Sequence, residues 1–353
     1  MNPTWPEGCF APAVAVADAV LYEGYLLYPY RASALKNRIR WQFGLLAPAP
    51  YAERDDSDPA SMRAEVILRP DPAGGRTALW VWLRFLQVQS RRVERCEGAG
   101  ALVAVDSLEL DGQRWSSWEE SVERSVELGP LYLDELGGEG QRHRVELPAG
   151  RDEEWLGADP ATPEGRVLRL SEALSGEVTV RTEPTGSPDG AVRVAVEVHN
   201  RTPWAGPATD RDELARHCLV ATHLLLGAPG ARFASAIDPP EDLRAAVAAC
   251  THAGCFPVLA GADGVEDVML VSPIILYDHP AVAPESKGDM YDATEIDEIL
   301  ALRVLTLTDE EKREAASTDP RAARIVARCE TLSPDAFAGL HGAVRSLRPG
   351  GRP

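Results

Sequence analysis

Residues 277–298 run Tyr-Asp-His-Pro-Ala-Val-Ala-Pro-Glu-Ser-Lys-Gly-Asp-Met-Tyr-Asp-Ala-Thr-Glu-Ile-Asp-Glu, the densest set of side chains in the chain able to do chemistry. Asp278 and His279 follow an apolar run, residues 268–277, suited to a buried strand, and Glu285 and Asp289 stand on the loop beyond. One imidazole among several carboxylates suits a divalent transition metal, and polar groups held at the end of a rigid strand are well placed for a ligand. Asp278, His279, Glu285 and Asp289 are therefore the candidate metal ligands, and a divalent metal is the one cofactor these residues point to. Such an ion would polarise a substrate or activate water. A plainer account competes with this one. Asp292 with Glu295 is what a helix capping box requires, Asp297 and Glu298 suit the positive end of a helix, and acidic Pro/Gly loops are ordinarily just solvated.

A second concentration lies near the N-terminus, where Tyr22, Tyr25, Tyr28 and Tyr30 lead into Arg31, Lys36, Arg38 and Arg40. Tyrosine and arginine dominate the energetics of protein interfaces, and paired cations also grip anions. Tyr22, Tyr25, Tyr28, Tyr30, Arg31, Lys36 and Arg38 are thus the candidate partner-binding residues. The competing account is an amphipathic strand and turn whose cations pair with the chain's own carboxylates.

Cys250, His252 and Cys255, with His217, Cys218 and His223, raise a metal question that their spacing answers poorly. There is no CxxC pair, and buried thiols explain the cysteines better. GxSxG, Walker and GxGxxG motifs are all absent, so nothing advertises a nucleophile or a phosphate cradle, and the balance leans away from an enzyme.

The elements that must position these residues change character along the chain. Up to about residue 199 the sequence consists of short β-like segments: 20–28, 39–46, 64–69, 78–88, 101–110, 144–147, 177–183 and 191–199. The last is the clearest, with Val192, Val194, Val196 and Val198 alternating with Arg193, Ala195, Glu197 and His199. The turn residues 184–190 join it to the preceding segment as a hairpin. From Asp210 the pattern becomes capped helices: Asp210 with Glu213 ahead of Leu214, Cys218, Ala221 and Leu225, a second from Asp238 to about Gly254, then Asp292 with Glu295 and Thr308 with Glu311, and further starts at Asp319-Pro320 and Ser333-Pro334. The expected class is α+β, with an antiparallel, sandwich-like or curved-sheet N-terminal half and a helix-rich C-terminal half holding at least one buried strand. The expected domains are 1–200 and 201–353, joined at 200–209, unless one sheet runs through both.

A chain of 353 residues with 44% hydrophobic content can bury a large core, and its formal charge of -19 repels phosphate. Nucleic acid is not an expected partner. No run is long and apolar enough to span a bilayer and the first ten residues lack signal-peptide design, so membrane insertion is not expected and a cytoplasmic location is. Six scattered cysteines are unlike a disulfide framework.

Leu21-Tyr-Glu-Gly-Tyr-Leu-Leu-Tyr-Pro-Tyr-Arg-Ala-Ser-Ala-Leu-Lys-Asn-Arg, Ser272-Pro-Ile-Ile-Leu-Tyr-Asp-His-Pro and Ala293-Thr-Glu-Ile-Asp-Glu-Ile-Leu resemble an uncharacterised actinobacterial family associated with nickel-iron hydrogenase gene clusters. The resemblance implies an accessory role, such as a scaffold or chaperone for a hydrogenase subunit, and assigns no site residue. The leading expectation is a non-catalytic accessory protein binding a protein partner during metalloenzyme assembly. The alternatives are a metal-dependent enzyme using the Asp278-His279 loop and a structural subunit of a larger complex.

Overall fold

The computed structural model describes residues 10–22, 44–55, 57–72, 75–159, 162–206, 211–261, 264–280 and 307–318, with 323–324, 326–327 and 330. In chain order the elements are α1 (Ala11–Tyr22), α2 (Ala49–Ala52), β1 (Ser61–Pro70), β2 (Ala78–Glu97), β3 (Ala101–Val105), β4 (Ser107–Leu110), β5 (Gln113–Ser116), β6 (Trp118–Tyr132), β7 (Gln141–Leu147), β8 (Gly150–Leu156), β9 (Gly165–Ser171) and β10 (Leu174–Pro184). They continue with β11 (Val192–Asn200), α3 (Arg211–Ala215), β12 (Val220–Gly227), β13 (Ala231–Phe233), α4 (Arg244–Ala248), β14 (His252–Ala253), β15 (Phe256–Leu259), β16 (Val268–Ser272) and α5 (Asp309–Thr318).

Valine alternation makes the first sheet. In β11, Val194, Val196 and Val198 all enter the main core, and the register Val178↔Val198 and Val180↔Val196 stacks β10 beside it as the expected hairpin. The strand order is β13-β1-β11-β10-β7, with β14 also pairing β1. The second sheet runs β15-β16-β12-β2-β9-β8, all antiparallel, and its spine is β2. One edge of β2 takes β12 and then β9; the other takes β6 and then β3. Leu79, Val81, Leu83 and Phe85 of β2 meet the β11 valines in one buried cluster, so the two sheets pack face to face as a sandwich. Farther along, Val93 with Val167 and Leu156 forms a smaller core under the β4–β5 hairpin.

The helix α1 lies on the other face of the second sheet. Its Ala13, Val16, Ala17 and Val20 pack with Leu225, Val258, Val268 and Leu270. Gly227 makes room for the seat: a methyl group there would stand 2.0 Å from the Phe10 ring. With the sandwich core on one side and α1 on the other, all eight residues of β12 are buried.

The expectation of a helix-rich C-terminal half is overturned. Of the described residues 49% are strand and 17% helix, and β12, β13, β15 and β16 of that half complete both sheets. The segment expected as a helix from Asp210 to Gly227 is a short α3 followed by β12. Strands buried on both faces lose the period of two, and a continuous apolar run does not distinguish strand from helix. The segment from Asp238 yields only a short turn and α4 before β14. In the N-terminal half, residues 20–22 belong to the helix α1 rather than to a strand. The box expected at Thr308 is formed: the Thr308 N–H donates to the Glu311 carboxylate at 2.7 Å, and the Glu311 N–H to the Thr308 hydroxyl at 3.3 Å. The expected helix starts at Asp292, Asp319 and Ser333 lie outside the described residues. No helix among the described residues is long and apolar enough to cross a membrane.

Candidate functional site

Beyond β16 the chain turns along the outer edge of the second sheet, and Asp278 and His279 fasten it there. Asp278 Oδ1 accepts the Leu259 N–H at 2.8 Å, and its Oδ2 accepts the Ser235 hydroxyl proton. The next residue returns the contact: the His279 N–H donates to the Leu259 carbonyl at 2.6 Å, and Nδ1 donates to the Gly261 carbonyl at 3.0 Å. His279 holds φ +54°, a left-handed conformation that these two bonds secure. β15 is the last strand of its sheet, so the outward groups of Leu259 would otherwise be open to another strand. With Pro257 offering no N–H and Leu259 occupied, the edge is blunted.

The two described candidate metal ligands thus act as staples. Both Asp278 oxygens and the Nδ1 of His279 are engaged, and no group of three or more metal-capable His, Cys, Asp or Glu side chains occurs among the described residues. Glu285 and Asp289 lie outside the described residues.

The stapled segments carry exposed apolar side chains. Seven large hydrophobic residues are exposed among the described residues, and five of them (Ile237, Phe256, Val265, Ile275 and Tyr277) sit on segments tied to Asp278 and His279. The Ile237 N–H bonds to the same Ser235 hydroxyl that reaches Asp278. Phe256 stands opposite Ser272 in the β15–β16 register, and Gly261 is pressed against Val265. Within the loop, Ile274 and Leu276 pack on the α1 core, whereas Ile275 and Tyr277 are 77% and 84% exposed. The sequence analysis placed Tyr277 at the start of a polar site and missed the other four. Of these, Ile275 alone had a local signal, the unbroken Ile274-Ile275-Leu276-Tyr277, in which alternate residues face opposite ways.

Of the N-terminal candidates only Tyr22 is described; Tyr25, Tyr28, Tyr30, Arg31, Lys36 and Arg38 lie outside the described residues. Tyr22 is a buried residue at the end of α1, and its hydroxyl donates to Glu123 of β6 at 3.5 Å. Glu123 also pairs with Arg84 of β2, which takes Asp18 of α1 as its second carboxylate. His223 of β12 stands opposite Arg84 in register. A bulge at Ala221, with φ +51°, offers a carbonyl that accepts the His223 Nδ1–H at 2.8 Å. Burial, then the Arg84 charge, pushes the His223 imidazole down to about 3, so it stays neutral at physiological pH and is a poor general base. Little in the sequence hints at this cluster of Asp18, Arg84, Glu123 and His223; the lone arginine in the apolar first part of β2, residues 78–88, was its only trace.

The remaining histidine and cysteine candidates are separated. Cys218 and Cys255 are buried, and burial raises both thiols. His217 packs edge-on against Trp204 at 5.2 Å. Among known proteins, no family model matches the chain and no curated relative is similar to it.

Proposed function

We propose that the chain is a non-catalytic accessory protein that docks on a protein partner through the apolar cluster around Tyr277. The supporting observation is that Ile237, Val265, Ile275 and Tyr277, all exposed, lie on segments that the hydrogen bonds of Asp278 and His279 tie to one sheet edge, with exposed Phe256 on the edge strand itself. Single apolar side chains scattered over a surface need no explanation, but contiguous ones mark interaction sites. Tyrosine and branched aliphatic residues make effective anchors when they are held still, because a preordered loop loses little entropy on binding. The hydrogen bonds of Asp278 and His279 supply that order. The alternative of a metal-dependent enzyme draws no support from these two residues, whose ligand atoms are largely engaged within the chain.

The resemblance in sequence makes a nickel-iron hydrogenase subunit the first partner to test. The full chain, co-expressed with the hydrogenase subunits of its own genome, is expected to hold one of them through gel filtration. Ile275→Asp combined with Tyr277→Asp is expected to lose that subunit while keeping its circular dichroism. A double variant that still co-elutes would sink the assignment of the surface.

A further inference from the structure

Next to the apolar cluster, the end of β1, the strand β13 and the loop at 264–267 enclose a cleft of about 530 Å³, lined by Arg69, Asp71, Arg232, Val265, Glu266 and Asp267 among others. Its far wall is fixed by the backbone, since the Phe233 N–H donates to the Glu266 carbonyl and the Ala228 N–H to the Asp267 carbonyl. Val265 lines the cleft, and its backbone abuts Gly261, whose carbonyl accepts the His279 Nδ1–H, which sets the cleft beside the stapled loop that carries Ile275 and Tyr277.

The charges in the cleft do not balance. Glu266 and Asp267 face the guanidiniums of Arg232 and Arg69, and Arg69 is already ion-paired to Asp189 and Asp242. Glu266 has no ion pair among the described residues. Asp267 Oδ1 is sealed from solvent and meets no donor, and burial lifts that carboxyl above its ordinary range. Asp238, beside Ile237, is another exposed carboxylate. A carboxylate that has lost water without gaining a donor is stabilised by an incoming cation, and complementary charge at the rim of an apolar patch selects the partner.

We infer that this cleft receives a lysine or arginine side chain of the docking partner, whose neighbouring apolar residues seat on Val265, Ile275 and Tyr277. The inference rests on the docking reading and specifies its partner: a segment that alternates cationic with apolar residues.

The test uses two peptides, acetyl-Leu-Arg-Leu-Leu-amide and the same peptide with Glu in place of Arg. Each is titrated into the full chain carrying labelled isoleucine and valine methyl groups, and the signals of Ile237, Val265 and Ile275 are followed. The arginine peptide is expected to shift all three and to bind about tenfold tighter than the glutamate peptide, a difference of about 1.4 kcal/mol. Glu266→Gln with Asp267→Asn, both close in shape to the originals, is expected to erase that preference, and Glu266→Gln alone to reduce it. If both peptides shift Ile275 equally, or if the double variant keeps the preference, the cleft assignment falls while the docking surface stands. If neither peptide moves any of the three signals, both fall.

Discussion

Arg84 and His223 face each other across the β2–β12 pairing, both sealed from solvent, although they stand far apart in the chain. Their juxtaposition sets the protein's response to acid. In the folded chain His223 is held neutral, with its pKa down to about 3 against an ordinary value of 6.5. The unfolded chain therefore takes up a proton at this site that the folded chain refuses. The stability this contributes is fully present above about pH 6.5 and is lost as pH falls toward the folded value, at about 1.4 kcal/mol per pH unit. His223→Asn keeps an N–H for the Ala221 carbonyl and removes the titration. Urea unfolding between pH 7 and 5 should show a shallower loss of stability for the variant than for the wild type. Equal slopes would mean that His223 protonates in the folded state. Burial also lowers His143 and His252, so the difference between variant and wild type is the quantity to read.

Replacing Arg84 tests the same pair from the other side. Arg84 is 2% exposed, whereas the side chains of Asp18 and Glu123 are 48% and 40% exposed and can turn to water. Arg84→Met should therefore cost little more than the lost tie to α1, while Arg84→Ala adds a cavity and should cost roughly 2 to 4 kcal/mol. The methionine variant also removes the positive charge beside His223, so an imidazole proton titration should find that pKa higher than in the wild type. An unchanged value would show that burial alone depresses it.

Asp278 is expected to matter for order rather than for metal. Asp278→Ala removes the acceptor of the Leu259 N–H and of the Ser235 hydroxyl, a loss of about 1–2 kcal/mol for a half-buried carboxylate. Hydrogen exchange at the Leu259 amide should accelerate strongly, with the amides of β12 unaffected. Elemental analysis of the wild-type protein that returned a stoichiometric divalent metal, lost in this variant, would restore the ligand role.

How much of this could be read from residues alone depended on local pattern. The β10–β11 hairpin was legible because one face is apolar and the other charged, and the Thr308 box was legible because four residues contain it. The strand β12 was not: His223 and the apolar residues around it are buried on both faces, which erases alternation, and the Asp210 and Glu213 signal upstream suited a helix that ends at Ala215. The helix α1 escaped notice because Asp18 is its only charge, and alanine and valine fill most of the rest. Asp278 and His279 were read as candidate metal ligands, and nothing local revealed that they close the edge of β15. Likewise Asp18, Arg84, Glu123 and His223 become one cluster only through the sheet pairings.

Asn200 closes one such long-range junction and offers a sharp test of it. It is fully buried at the end of β11, where Nδ2 donates to the Leu46 carbonyl at 2.8 Å and to the His217 carbonyl at 2.9 Å, and Oδ1 accepts the Thr202 N–H at 2.9 Å. Three segments distant in sequence thus meet on one amide with its donors and acceptor engaged. Asn200→Ala strands those groups without access to water and should lower the unfolding free energy by about 2–4 kcal/mol. Asn200→Asp is nearly the same shape but presents an acceptor where two carbonyls require donors, so it should be worse than alanine above pH 5. Chemical unfolding of the two variants decides the matter: if aspartate is tolerated better than alanine, the junction is held by packing rather than by its hydrogen bonds.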